Sequence, residues 1–296
     1  MYPLYYIDPV FRPPSEAGSL ILQVTNGCSW NKCTFCEMYT QEQKRFRPKD
    51  QKTIEQELDI VARSGQPVRR IFLADGDAMT LSYRRLKAIL VAINNVFPDI
   101  NRISSYCLPR NLKNKTVEQL TELRAMGLSL MYVGCETGDD LLLGKVNKGE
   151  TFLSSLDALQ KIKQAGMKSS VMILNGLGGI AYSQQHAINS ARLMNEAQPE
   201  YLSTLVLSFP AGMKRYQAGF DGEFVPLDQR QLFEEMQTLL GHLELKKTIF
   251  RSDHASNYLV LKGTLNQDKA MLLEKINRAL NNPKSVPLRQ EWQRGL

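Results

Sequence analysis

Short apolar runs of strand length alternate with stretches of helical periodicity along most of the chain. Residues 19–25 (Ser-Leu-Ile-Leu-Gln-Val-Thr) form the first such run. A helical pattern follows over 52–63, with Asp50 placed as its N-cap and Gly65 as its stop. The same unit then recurs, with strands predicted over 70–74, 102–107, 128–135, 169–175, 202–208 and 248–251. Helices are predicted over 82–96, 116–126, 152–165, 183–195, 228–243 and 268–279. Strands separated by helices imply right-handed crossovers and a parallel sheet. About six such units predict an α/β fold, either an open doubly wound sheet or an incomplete barrel. In both architectures ligands gather at the carboxyl ends of the strands. Cys28, Asp77, Cys107, Glu136, Gly176 and Ser208 all lie at or just beyond such an end.

Residues 1–18 break the alternation. Pro3, Pro9, Pro13 and Pro14 stand among Tyr2, Tyr5, Tyr6 and Phe11, so this segment is expected to be an irregular arm pinned by aromatic contacts. No stretch reaches the roughly 20 apolar residues needed to span a bilayer, and the N-terminus lacks the pattern of a signal peptide. A cytoplasmic location is the expectation. Lysine and arginine exceed aspartate and glutamate by 37 to 30, but the excess is scattered. A solvated surface, an anionic small-molecule pocket and a nucleic acid partner all remain compatible with it.

Cysteine changes the picture. There are five, an odd number, and Cys28, Cys33 and Cys36 crowd into the loop after the first strand, which is wrong for a secreted disulfide framework. Three thiolates can ligate three irons of a cubane and leave the fourth iron open. Zinc would normally require a fourth Cys or His, and none stands nearby. A redox disulfide between Cys33 and Cys36 would leave Cys28 unexplained.

This loop, with Phe35 directly before the last cysteine, resembles the radical S-adenosylmethionine (SAM) superfamily. It departs from the commonest form in having four residues rather than three between Cys28 and Cys33. The similarity continues through Arg12-Pro13-Pro14-Ser15-Glu16-Ala17, Gly134-Cys135-Glu136-Thr137-Gly138, Val146-Asn147-Lys148-Gly149-Glu150-Thr151 and Gly176-Leu177-Gly178-Gly179. These blocks look like those of a branch related to anaerobic coproporphyrinogen oxidase and the methylthiotransferases. The resemblance implies a partial (β/α)6 TIM-type barrel over 19–250, with the arm before it and a C-terminal extension over 251–296. It also implies a [4Fe-4S] cluster on Cys28, Cys33 and Cys36, and SAM as the second cofactor.

For SAM, Asp75-Gly76-Asp77 stands where the superfamily has Gly-Gly-Glu, which assigns Asp77 to the methionine ammonium. An ordinary aspartate-rich turn is the alternative. Glu136 is placed on the ribose hydroxyls and Lys148 on the SAM carboxylate, a position where relatives often carry arginine. Ile173 is a candidate adenine contact, and Gly176 allows close backbone approach. The glycine cluster matches neither the dinucleotide fingerprint nor a P-loop.

Of the three histidines, His186 and His242 lie near helix ends, where capping or surface exposure is the default. His254, with Arg251 and Asn257, either lines the substrate side of the barrel mouth or belongs to a loop that seals it. Cys107 and Cys135 are either buried small hydrophobes or thiols facing the cavity, where Cys135 would act as a hydrogen-atom donor. The chemistry implied is reductive cleavage of SAM followed by hydrogen abstraction from a substrate, with a flavodoxin or ferredoxin type reductant. A small-molecule substrate is favoured over nucleic acid, and no membrane is involved. The rival readings are an electron-transfer iron–sulfur protein and an RNA-modifying enzyme.

Overall fold

The structure, a computed structural model, describes residues 2–210 and 212–295. Two compact units divide the chain. The first holds the described residues through Asn31, Cys36–Val133 and Gln160–Ser169; the second holds Lys32–Phe35, Gly134–Leu159 and the described residues from Ser170 onward.

In the first unit β1 (Leu20–Gln23) leads into a two-residue strand, β2 (Thr25–Asn26), which pairs with β3 (Arg47–Pro48). Next come α1 (Gln51–Arg63), β4 (Arg70–Ala74), α2 (Tyr83–Val96), β5 (Arg102–Cys107), α3 (Val117–Ala125) and β6 (Leu128–Glu136), the last running on into the second unit. Strands β1, β4, β5 and β6 pair in parallel in that order. The helices form for reasons visible in their residues. Asp50 accepts from the Lys52 N–H, Ser82 from Arg85, and Thr116 with Gln119 closes a capping box. In α1, Ile54, Leu58 and Val61 recur at helical spacing and are buried, while Gly65 takes the left-handed conformation that ends the helix.

The second unit contains α4 (Asp140–Lys145), α5 (Phe152–Gln164), which begins here, β7 (Lys168–Asn175) from Ser170 onward, α6 (Gly179–Ala197), β8 (Tyr201–Val206) and α7 (Lys214–Gln217). After them come α8 (Gln229–His242), β9 (Thr248–Ser252), β10 (Leu261–Leu265) and α9 (Lys269–Asn281). β7, β8 and β9 are parallel. β10, in the segment expected to extend beyond the barrel, runs antiparallel to β9. The link between them contains no helix, and a connection that short permits only an antiparallel return. Parallel strands with helices between them make this an α/β fold, and among the described residues no pairing closes the strands into a complete barrel.

Other departures are local. α6 begins at Gly179, four residues before the predicted start at Ser183, because the Ile180 N–H is satisfied by the Val225 carbonyl and glycine tolerates the left-handed entry. The six-residue α4 is too short to show a period. No helix among the described residues is long and apolar enough to cross a membrane.

The N-terminal arm is held partly as expected. Tyr6 and Val10 pack against Ile21, Phe72 and Ala74, and Phe11 meets Tyr39 edge-on at 5.5 Å. Its firmest anchor is polar. Glu16 is fully buried, accepts from Arg102 at 2.7 Å and from the Tyr132 hydroxyl at 2.6 Å, and is also bonded to Ser19. Removing a buried acid leaves its partners unsatisfied. Glu16→Ala is therefore expected to lower stability by about 2–3 kcal/mol, read as a fall in the urea midpoint. A midpoint within error of wild type would show that the arm does not depend on this residue.

Candidate functional site

In the first unit the cysteine loop leaves β2 and folds back onto its own start. The side-chain amide of Asn26 donates to the carbonyls of Gln43 (2.7 Å) and Arg45 (3.0 Å). Gly27 is left-handed, and a side chain there would run into the Lys44 carbonyl, so glycine is required. The extra residue between Cys28 and Cys33 is accommodated at Asn31, which adopts φ 42°. Its amide N–H lies 3.5 Å from Cys28 Sγ and its side chain donates to the Tyr39 carbonyl at 2.8 Å. Asparagine is among the few residues that enter this region readily.

The turn after β4 supports the loop from beneath. Asp77 is fully buried; its Oδ2 accepts from the backbone N–H of Ser29 at 3.1 Å and is also bonded to the Ser29 hydroxyl. Its Oδ1 is buried with no hydrogen bond of good geometry, although the Asn111 side chain lies beside the carboxylate. Burial pushes the Asp77 carboxyl up to about 6, with the Ser29 hydrogen bonds pulling the other way. Asp75 has a different occupation. Its carboxylate pairs with Lys44, both side chains being fully buried, and Lys44 also donates to the Ile7 carbonyl at 2.8 Å. Gly76 lies against the Tyr39 ring, where any side chain would overlap it. Cys28 and Cys36 are neighbours: burial raises the Cys28 thiol first, and nearby Asp77 and Cys36 raise it further, against the Asn31 N–H. The Arg110 guanidinium stacks on Trp30 at 3.7 Å. Sequence reasoning missed Ser29, Tyr39 and Lys44, since nothing in their spacing marks them.

The second unit brings together Cys33, Phe35, Glu136, Lys148 and Cys135. The Thr34 N–H donates to the Val146 carbonyl at 3.0 Å, and Phe35 packs on the cluster of Leu142, Val146, Leu174, Leu177, Tyr216, Phe220 and Phe224. Lys148 Nζ lies 2.8 Å from Glu136 Oε1 and 5.6 Å from the Phe35 ring centre. Burial alone would lower the Lys148 ammonium, but Glu136 and then Cys33 hold it above the usual lysine range. Glu136 is left-handed, and Gly134 must be glycine because a side chain would meet the Glu136 carboxylate. The two residues assigned to different parts of SAM thus face each other. Cys135 is buried, which pushes its thiol up to about 12.

Other candidates lie elsewhere. Met172 packs on the cluster that contains Leu174, so strand alternation turns Ile173, which is buried, to the opposite face of β7. Gly176 is left-handed, and its N–H donates to Glu235 at 2.6 Å. His254 bonds Ser256 at 2.9 Å, Asn257 donates to the Thr204 carbonyl at 2.9 Å, and Arg251 is exposed. Arg289 donates to the carbonyls of His254 (2.7 Å) and Asn257 (2.9 Å), so a C-terminal side chain straps this loop. His186, expected at the surface, is buried, because both ring nitrogens have partners within the protein.

Residues 22–191, more than half of the chain, match the family model of the radical SAM superfamily. The chain belongs to that superfamily. The heme chaperone HemW of Bacillus subtilis is 26% identical over 180 residues, covering 59% of this chain and 46% of that protein. A protein of Methanocaldococcus jannaschii that carries the methylthiotransferase name is 23% identical over 175 residues, covering 56% and 37%. The chain therefore spans less than half the length of these curated relatives. Among solved structures, coproporphyrinogen III oxidase (HemN) from Escherichia coli superposes with TM-score 0.58 at 17% identity, over 75% of this chain and 51% of that one. At that identity the likeness speaks for the α/β fold.

Radical SAM proteins use a [4Fe-4S] cluster and SAM, and they need a reductant. The donor set fits such a cluster: Cys28, Cys33 and Cys36 are thiols on one short loop. A cubane takes one thiolate on each of several irons.

Two outcomes follow from this geometry. Asp77→Ala removes the acceptor under Ser29, so alkylation of Cys28 in the metal-free protein should quicken about tenfold as the loop opens more often; an unchanged rate would rule out Asp77 as the loop's anchor. Lys148→Met strands Glu136 in the interior and should cost about 3 kcal/mol, most of it recovered in the double variant Lys148→Met/Glu136→Gln. A denaturant series on the three proteins measures both.

Proposed function

We propose that this chain is a radical SAM enzyme whose Cys28, Cys33 and Cys36 hold the cluster, and that it starts hydrogen abstraction on a small, largely apolar substrate. With SAM bound, the reduced cluster would supply one electron to the sulfonium, yielding methionine and a 5′-deoxyadenosyl radical. A flavodoxin or ferredoxin type protein is the proposed electron source, and the cytoplasm the proposed location.

The observation that carries this reading is Asp77. One carboxylate oxygen holds the cysteine loop through Ser29, and the other is buried with no hydrogen bond of good geometry, the Asn111 side chain standing beside the carboxylate. A buried acceptor so weakly satisfied suits a cationic ligand, and the methionine ammonium is one. Lys148 carries the positive charge proposed for the SAM carboxylate and Glu136 the oxygens proposed for the ribose hydroxyls. Because the two are paired at 2.8 Å, a ligand carrying both groups can exchange with that ion pair without leaving either charge bare. Gly176 leaves room for backbone approach.

The half-buried side chains of Phe35, Met172, Leu205 and Leu207 pack with the aromatic cluster, an apolar surface that suits a hydrophobic small molecule better than a polyanion. Such a lining excludes water from a reactive intermediate.

Anaerobic reconstitution with iron and sulfide, followed by dithionite and SAM, is expected to give 5′-deoxyadenosine. Cys36→Ala should lose both the iron and the product. Zinc in place of iron, or a full cluster that never cleaves SAM, would refute the assignment.

A further inference from the structure

Glu235 on α8 and His186 on α6 are almost fully buried, at 2% and 1% exposure, and neither has a part in the chemistry above. Their bonds run to two turns. Glu235 Oε1 accepts from the Gly176 N–H at 2.6 Å, and Oε2 accepts from the Ser183 hydroxyl at 2.7 Å. His186 Nε2 lies 3.0 Å from the Leu174 carbonyl and 3.9 Å from Glu235 Oε1. A carbonyl only accepts, so Nε2 bears the hydrogen. Nδ1 lies 2.8 Å from the hydroxyl of Thr137, the residue after Glu136.

α6 continues the same contact. Ser190 accepts from the Gly138 N–H at 3.0 Å, and Asn189 and Gln185 donate to Asp139 at 2.6 and 3.0 Å. Residues 185, 186, 189 and 190 share one face of a helix. Gly138 lies flat on that face, since a side chain there would strike the Asn189 carbonyl. The turn after β6, which presents Glu136, and the turn after β7, which presents Gly176, are therefore fastened to one helix, the first through His186 and the second through Glu235 and Ser183.

Burial raises the Glu235 carboxyl, with His186 and the two hydrogen bonds opposing it. A buried acid next to histidine is costly to keep when apolar packing would serve for stability alone. What the pair adds is direction: it fixes where the left-handed Gly176 N–H points and how far that turn lies from Glu136.

We propose that Glu235 and His186 are positioning residues that lock the Glu136 and Gly176 turns into one clamp for the nucleoside half of SAM. This rests on the proposal that these turns bind SAM. The test uses reconstituted protein of matched iron content, with the Kd for SAM measured by equilibrium binding and 5′-deoxyadenosine formation measured at saturating SAM. Glu235→Leu should weaken SAM binding by about tenfold or more, with iron content and the rate at saturation close to wild type. Glu235→Gln keeps an acceptor for Gly176 and a donor for Ser183, and should restore binding to within about threefold. If the leucine variant does not fold, Ser183→Ala, which removes a single bond, should still raise Kd about threefold. Wild-type affinity in a folded, iron-loaded Glu235→Leu protein, or in Ser183→Ala, would overturn the clamp alone. Failure of the iron-loaded wild type to bind SAM would overturn the parent reading, and the clamp with it.

Discussion

A carboxylate removed from water must find hydrogen-bond donors or a cation, or it destabilises the fold that buries it. This chain buries several, and each organises a segment that periodicity alone leaves loose. Glu16 ties the arm to β5 and β6 through Arg102 and Tyr132. Asp75 fastens the segment after the cysteines through Lys44, Asp77 carries the loop itself through Ser29, and Glu235 fixes the glycine turn. The apolar core builds the strands and helices; the acids decide where the connecting segments lie.

Much of the scaffold was legible beforehand. The strand over 70–74 and the strand over 102–107 are observed with those bounds, α1 starts after Asp50 as its cap, and α2 runs over the stretch predicted from 82 to 96, with Ser82 as its cap. These segments are long, strongly patterned and bounded by residues with one local job. β10 was missed because Leu-Lys-Gly-Thr-Leu offers only its ends as apolar signal, with a glycine in the middle. α4 was missed because six residues do not display a helical period.

The candidate site divides the same way. Cysteine spacing is a property of the chain and can be read directly, whereas the partners of Asp75, Asp77 and Glu136 depend on tertiary contact. Lys44 is 31 residues from Asp75 and Ser29 is 48 from Asp77, distances at which no local rule operates. Ile173 turns on parity: it lies within the fifth predicted strand, and alternation along β7 puts it on the face opposite Met172 and Leu174, a detail that depends on register.

The Lys44 and Asp75 pair has an implication for tracing descent. Asp75 is an acid that needs its lysine, so neither residue can be replaced singly without stranding a charge in the core. A lineage that gained or lost this pair must cross a less stable intermediate or change both positions together.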